Sequence, residues 1–231
     1  MNDISENLKI VQGRIAKLAH EYKRDPLGVR LMAVSKMQPE ESLRGALVAG
    51  QRLFGENKVQ EAQQHWAGLR GEYSDIELHL IGPLQTNKAK DAVALFDMIQ
   101  SVDRADIVKA LAKEMKKQGR DIPCLIQVNT GEEPQKAGVL PKDLDELLTL
   151  CREEGIRVTG LMCIPPADEP PALHFAFLRK LAYERDLRDL SMGMSADYEK
   201  AIALGSTYVR IGTALFGERP AAISAVSSSA V

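Results

Sequence analysis

The sequence predicts a (β/α)8 barrel, the TIM-barrel class of α/β fold, with an extra helix at its N-terminus. Three observations carry this. Eight brief apolar, β-branched runs alternate with segments of helical periodicity. Such alternation argues for a parallel sheet with crossover helices, and eight units suffice to close a barrel. The 231 residues fall within the usual barrel range, near its short end. A doubly wound open sheet is the alternative. No linker or composition shift divides the chain, so residues 1–220 are expected to form one domain. The Ala/Ser-rich stretch 221–231 has no periodic face and is expected to be a disordered tail.

The elements follow in order. Leu8, Val11, Ile15, Leu18 and Tyr22 recur at steps of three and four with Lys and Glu between them, which predicts the extra helix. Asp25-Pro26-Leu27-Gly28 breaks it. The strand-like runs are Val29–Ser35, Arg52–Gly55, Glu77–Ile81, Met98–Val102, Cys124–Asn129, Val158–Ile164, Leu187–Met194 and Tyr208–Phe216. Each is bounded by Gly, Pro, Asn, Asp or Ser. Between them, helices are expected over Pro39–Ala49, Val59–Trp66, Lys88–Leu95, Ala105–Lys117, Pro141–Glu154, Pro171–Tyr183 and Ala196–Leu204. Pro39 suits a first helical turn, and Gly50, Gly155 and Gly205 suit helix ends.

Composition excludes several function classes. There are 30 basic and 32 acidic residues, a net charge of −2, which gives no drive toward nucleic acid or anionic lipid. No apolar run approaches the roughly 20 residues of a membrane span, and Met1–Glu6 has no signal-peptide character. Cys124, Cys151 and Cys163 are odd in number and widely spaced, so neither a disulfide framework nor a zinc site is expected. A cytoplasmic protein is the expectation.

In a barrel, chemistry sits at the C-terminal strand ends. Lys36 follows the apolar run Leu31–Val34. A lysine partly desolvated there has a lowered pKa, and its neutral amine can form a Schiff base with an aldehyde. From position alone, a solvated surface lysine is the plainer reading. The ends of the seventh and eighth strands, where barrels frequently grip phosphate, offer Gly193, Ser195, Gly212 and Thr213. Ser195 also suits a helix N-cap, and Gly212 a bulge or packing need. Arg210 lies in the apolar Tyr208–Ile211 and needs an acceptor, either a core carboxylate or a ligand. His79, between Leu78 and Leu80, reads most simply as a hydrogen-bonded core histidine, and Met162 as a core or pocket-wall residue. A strand-end lysine with a phosphate grip describes a ligand carrying an aldehyde and a phosphate. Pyridoxal 5′-phosphate (PLP) and the sugar phosphates of Schiff-base aldolases both qualify.

At these residues the chain resembles the PLP homeostasis (PLP-binding) proteins, whose fold is that of the alanine racemase N-terminal domain. The matching stretches are Leu31–Lys36, Phe54–Asn57 with Gln60-Glu61, His79–Gly82 with Leu84-Gln85 and Asn87-Lys88, Ser101–Arg104, Gly160–Met162, Ser191–Ser195, and Gly205–Thr207 with Val209–Thr213. Each is weak alone, but their order and spacing over Val29–Gly217 are specific. The resemblance implies that Lys36 holds PLP as a Schiff base and that Ser195, Gly212 and Thr213 cradle its phosphate. It implies that Arg210 faces the pyridine nitrogen and that Asn57, His79 and Met162 line the ring pocket. Lys136 matches a loop lysine near a second PLP contact.

An arginine at the pyridine nitrogen keeps it unprotonated and makes the ring a poor electron sink. Alanine racemases add a tyrosine base from a C-terminal β-domain, and with the sequence ending at Val231 no such domain is expected. The expectation is therefore a monomeric PLP carrier or regulator in vitamin B6 homeostasis, without strong turnover, with apo PLP-dependent enzymes as recipients. A weak PLP-dependent amino-acid racemase and a sugar-phosphate aldolase are the alternatives.

Overall fold

The computed structural model describes residues 3–217. The expected tail 221–231 lies outside the described residues. Eight strands, β1 Arg30–Val34, β2 Leu53–Glu56, β3 Glu77–Leu80, β4 Met98–Val102, β5 Cys124–Gln127, β6 Val158–Met162, β7 Asp189–Met194 and β8 Tyr208–Ile211, form a closed barrel in sequence order. All eight pairings are parallel, β8 returning to β1. The helices are α1 Ile4–Glu21, α2 Glu40–Val48, α3 Val59–Glu72, α4 Ala89–Leu95, α5 Ala105–Gln118, α6 Leu144–Glu153, α7 Pro171–Tyr183, α8 Tyr198–Ala203 and α9 Thr213–Phe216. None among the described residues is long and apolar enough to cross a membrane.

The extra helix begins where Asp3 accepts from the Ser5 and Glu6 N–H groups, satisfying two of its orphan donors. It buries Leu8, Val11, Ile15 and Leu18. Tyr22, which shares their periodicity, is the C-cap and is exposed. The Arg14–Glu199 pair at 2.7 Å ties α1 to α8, and Arg24 donates to the Ile202 and Ser206 carbonyls.

Several boundaries differ from the sequence expectation: α3, expected to end at Trp66, runs on to Glu72, and two other differences shape the cavity end. The eighth strand stops at Ile211, because Gly212 turns the chain (φ −115°, ψ −76°) into α9. The helix expected from Ala196 begins at Tyr198, and Asp197 Oδ1 accepts from the Met194 N–H at 2.6 Å. That contact closes a turn after β7 and leaves Ser195 in the loop rather than at the N-cap.

Side chains alternate across each strand with period two. One set faces the helices in an apolar layer that includes Phe54, Trp66, Phe96 and Phe175. The other fills the barrel with Met32, Val34, Leu53, Ile81, Met98, Leu125, Met162 and Tyr208. Polar groups share that interior, since Met32 pairs with Arg210, Met98 with His79, Met162 with Ser191, and Ser191 with Tyr208.

Candidate functional site

A cavity of about 510 Å³ opens at the C-terminal ends of the strands. Its lining includes Lys36, Asn57, Ser195, Arg210, Gly212 and Thr213, six of the residues expected from sequence, together with Lys136. His79 and Met162 are fully buried and lie outside this lining, in the barrel interior. Among the described residues, the lining carries three cationic side chains and no Asp, Glu, His, Tyr or Cys.

Lys36 stands in the turn after β1, half-buried, with both flanks anchored. Ser35 Oγ donates to Glu56 Oε1 at 2.6 Å, and Trp66 Nε1 donates to the same oxygen at 3.0 Å. The Met37 N–H donates to Glu61 of α3, which holds Met37 at φ +58°. A non-glycine residue pays for that conformation, so the anchor fixes the lysine's turn. Glu56, Glu61 and His65 bring their ligating atoms within 4.8 Å of one another. His65 Nδ1 lies 3.1 Å from Glu56 Oε1, and that hydrogen bond raises the imidazole pKa.

Asn57 follows β2. Its backbone passes so near Gly82, after β3, that a Cβ there would lie 2.2 Å from the Asn57 carbonyl oxygen. The Gly82 of the His79–Gly82 motif is thus a close-approach glycine. Gly193 has φ +92°, and a Cβ on it would lie 2.5 Å from the Ala201 Cβ, so the fold itself requires glycine there. Gly212 is different. Its φ is negative, and a Cβ would meet nothing nearer than Val34 at 3.6 Å, an ordinary contact. Neither a bulge nor packing demands glycine at this lining position.

Arg210 is buried, and burial lowers its pKa. It donates to Ser191 Oγ at 2.8 Å and to the Cys163 carbonyl at 2.8 Å. Both acceptors are neutral oxygens, so the arginine is held without the core carboxylate that sequence left open. Cys163 itself is buried, which pushes its thiol up to about 12 and leaves it unreactive.

Lys136 reaches the cavity because the loop after β5 folds back. The Asn129 N–H donates to the Val139 carbonyl at 2.9 Å, Gln127 Nε2 to the Ala137 carbonyl at 3.1 Å, and Asn129 Nδ2 to the Glu133 carbonyl at 2.8 Å. Lys136 Nζ pairs with Glu133 Oε2 at 2.7 Å. Sequence reasoning gave no role to Glu56, Glu61, Gln127, Gln100 or Ser191. Period-two parity with inward Met98 and Met162 is the signal that places the last two inside the barrel.

The chemistry of this set suits an anionic ligand with an electrophilic carbonyl. β7, β8 and β1 are neighbours, so hydroxyls, a glycine and an amine converge from adjacent strand ends. Backbone N–H groups at glycine and side-chain hydroxyls bind phosphate oxygens, and no lining carboxylate opposes them. The residues present therefore fit PLP.

Comparison with known proteins agrees with the fold. Residues 3–220 match the family model described as the alanine racemase N-terminal domain. A pyridoxal phosphate homeostasis protein of Pseudomonas aeruginosa is 42% identical over 227 residues, covering 95% of this chain and 97% of that one. The Escherichia coli protein of the same name is 38% identical over 231 residues, covering 95% and 98%. PipY of Synechococcus elongatus, solved with PLP bound, superposes with a TM-score of 0.77 at 40% identity, covering 88% of this chain and all of that one. An alanine racemase of Clostridium difficile shares the fold, with a TM-score of 0.72 at 16% identity, and this chain spans 58% of it. The chain belongs to the pyridoxal phosphate homeostasis proteins, a family built on the alanine racemase N-terminal domain.

Proposed function

We propose that the chain binds PLP in the strand-end cavity and serves vitamin B6 homeostasis as a carrier or regulator without strong catalytic turnover. The observation that carries this is the lining: Lys36, Lys136 and Arg210 with hydroxyls and glycine, and no carboxylate among the described residues. The name of the relatives and the PLP-bound PipY support the same reading.

Lys36 holds the aldehyde carbon through a Schiff base, its turn fixed by Glu56 and Glu61 on either flank. Ser195 and Thr213 give hydroxyl hydrogen bonds to the phosphate, and Gly212 admits it to the backbone N–H. Arg210 turns remaining guanidinium N–H groups to the ring nitrogen, and Asn57 forms a wall. His79 and Met162 act from the layer beneath. When bound, PLP supplies an aldehyde that captures amines and a ring that withdraws electrons. Arg210 donates a hydrogen bond without giving up a proton, so it withholds the positive charge that would strengthen that withdrawal.

The racemase reading is weaker, because inversion needs a base on each face of the substrate carbon. Lysines are the only such groups in the described lining. The aldolase reading has no observation in its favour. One domain spanning residues 1–220, working as a monomer in the cytoplasm and handing PLP to apo-enzymes, completes the proposal.

The test is the absorption spectrum of the protein with PLP, wild type beside Lys36→Ala. A near-visible band that borohydride abolishes, absent in the variant, is expected, with no steady conversion of L-alanine to D-alanine. A colourless wild type that ignores PLP would overturn the reading. Rapid inversion lost in Lys36→Ala would replace the carrier with the racemase.

A further inference from the structure

A single file of hydrogen bonds crosses the barrel interior beneath the cavity. Arg210 Nη1 donates to Ser191 Oγ at 2.8 Å. Ser191 Oγ donates to Gln100 Oε1 at 2.6 Å. Gln100 Nε2 lies 2.9 Å from His79 Nδ1, and His79 Nε2 lies 2.7 Å from Glu77 Oε1. Glu77 is clasped by Arg30, whose Nη1 donates to its Oε1 at 3.1 Å and whose Nη2 reaches Oε2. Ser191, Gln100 and His79 are each fully buried or within a per cent of it. The chain thus joins the cavity floor to an ion pair at the opposite end of the barrel.

Its direction is determined. Arg210 can only donate, and an ionised Glu77 can only accept. With the Gln100 carbonyl oxygen facing Ser191 and its amide nitrogen facing His79, every link between them points from Arg210 toward Glu77. Ser191 accepts from Arg210 and gives its own proton to the Gln100 carbonyl. The Gln100 amide N–H then points at His79 Nδ1, which leaves the imidazole neutral with its proton on Nε2, facing Glu77. Burial lowers the His79 pKa, in keeping with a neutral ring. A buried file in which every group is satisfied is stiff, because removing one member strands its neighbours without partners.

We propose that Ser191 and Gln100 are positioning residues, which transmit the hold of the Glu77–Arg30 pair through His79 to Arg210 and so fix the donor face that its guanidinium turns to the cavity. Gln100 makes no hydrogen bond to Arg210, so its influence there passes through the Ser191 hydroxyl. The consequence for PLP rests on the reading of the cavity given above; the consequence for Arg210 does not.

The experiment has two arms on the full chain. In the first, without PLP, hydrogen exchange of the Arg210 guanidinium N–H groups is followed by nitrogen-15 NMR, the resonances being assigned by their loss in Arg210→Met. Gln100→Leu is expected to speed that exchange at least tenfold while the backbone amides of the barrel keep their protection. In the second, PLP affinity is measured by titration in a double-mutant cycle. Gln100→Leu is expected to raise Kd about tenfold alone and less than twofold in the Arg210→Met background. Should Gln100→Leu not fold, Ser191→Ala, which removes one hydroxyl, carries both arms with the same expectations. Unchanged Arg210 exchange in a folded variant overturns the proposal, and so does an equal loss of affinity in both backgrounds. If Gln100→Leu shows the Arg210 effect but the wild type binds no PLP, the PLP reading falls and the positioning file stands.

Discussion

The two ends of the barrel interior treat their polar groups in opposite ways. At the closed end, Arg30 and Glu77 clasp one another, His79 takes a Glu77 oxygen, and Tyr208 covers both, with the Arg30 guanidinium 5.4 Å from its ring and the His79 ring 5.5 Å away. Charge is balanced there by a half-buried pair. At the open end, Lys36, Lys136 and Arg210 line one cavity without a carboxylate among them. Even Lys136, which has Glu133 as a partner, keeps that carboxylate out of the lining. Polarity alone does not separate site from core in this barrel. The difference lies in what is presented, and the end whose lining carries cations and no carboxylate is the end suited to a phosphate.

Substitutions sharpen this contrast. The largest effect after loss of Lys36 is expected from Arg210→Met, which should weaken PLP binding roughly 10- to 100-fold, the scale of one hydrogen bond to a charged group. Its counterpart, Glu77→Leu, should cost the fold about 1–2 kcal/mol in urea denaturation, less than a fully buried pair because the carboxylate is partly exposed. Its effect on PLP affinity should be smaller than that of Ser191→Ala. A Glu77→Leu protein of undiminished stability would break the division between a structural end and a binding end.

Two glycines sharpen it further. Gly193→Ala must place a Cβ against Ala201 at a positive φ and is expected to cost about 1–3 kcal/mol. Gly212→Ala is expected to leave the melting temperature within a degree or two and to weaken PLP several-fold. Equal destabilisation by both would mean that Gly212 serves packing after all.

The smallest expected effect is that of pH on the apo-protein. Burial raises the Glu77 pKa, but hydrogen bonds from His79 and Arg30 outweigh it and bring the group to about 2. A carboxylate depressed in the folded state stabilises above its unfolded pKa and loses that contribution as pH falls toward the folded value. Stability should therefore decline from the ordinary carboxylate range down to about pH 2, and Glu77→Gln should flatten that slope.

Much of this was legible in the sequence. The eight runs begin and end within a few residues of the strands, because β-branched stretches bounded by turn residues carry their own limits. Tyr208–Phe216 was read too long, since Thr213–Phe216 is as apolar as a strand and only the Gly212 backbone shows the bend. Lys36 and Arg210 draw attention through local signals, strand-end position and an arginine in an apolar run, but position alone favours a surface lysine, and their roles come from the resemblance. Gln100 and Ser191 left no such trace. A polar residue in a strand faces solvent or core according to parity, and parity is settled only by pairing with neighbours far away in sequence. Layer height is equally non-local. His79 and Met162 belong to the right strands, yet they sit below the cavity because register sets their depth.

The fixed direction of the interior file also limits which residues could ever replace its members. Position 100 must accept on one side and donate on the other, and must span from Ser191 to His79. Glutamine meets all three demands, asparagine falls short in reach, and glutamate or lysine offers the same polarity on both sides. Position 191 needs a hydroxyl for the same reason. A barrel whose ends dictate orientation admits substitutions by grammar rather than by size or hydrophobicity. Two replacements that each fail alone would be tolerated together where they restore a donor facing an acceptor.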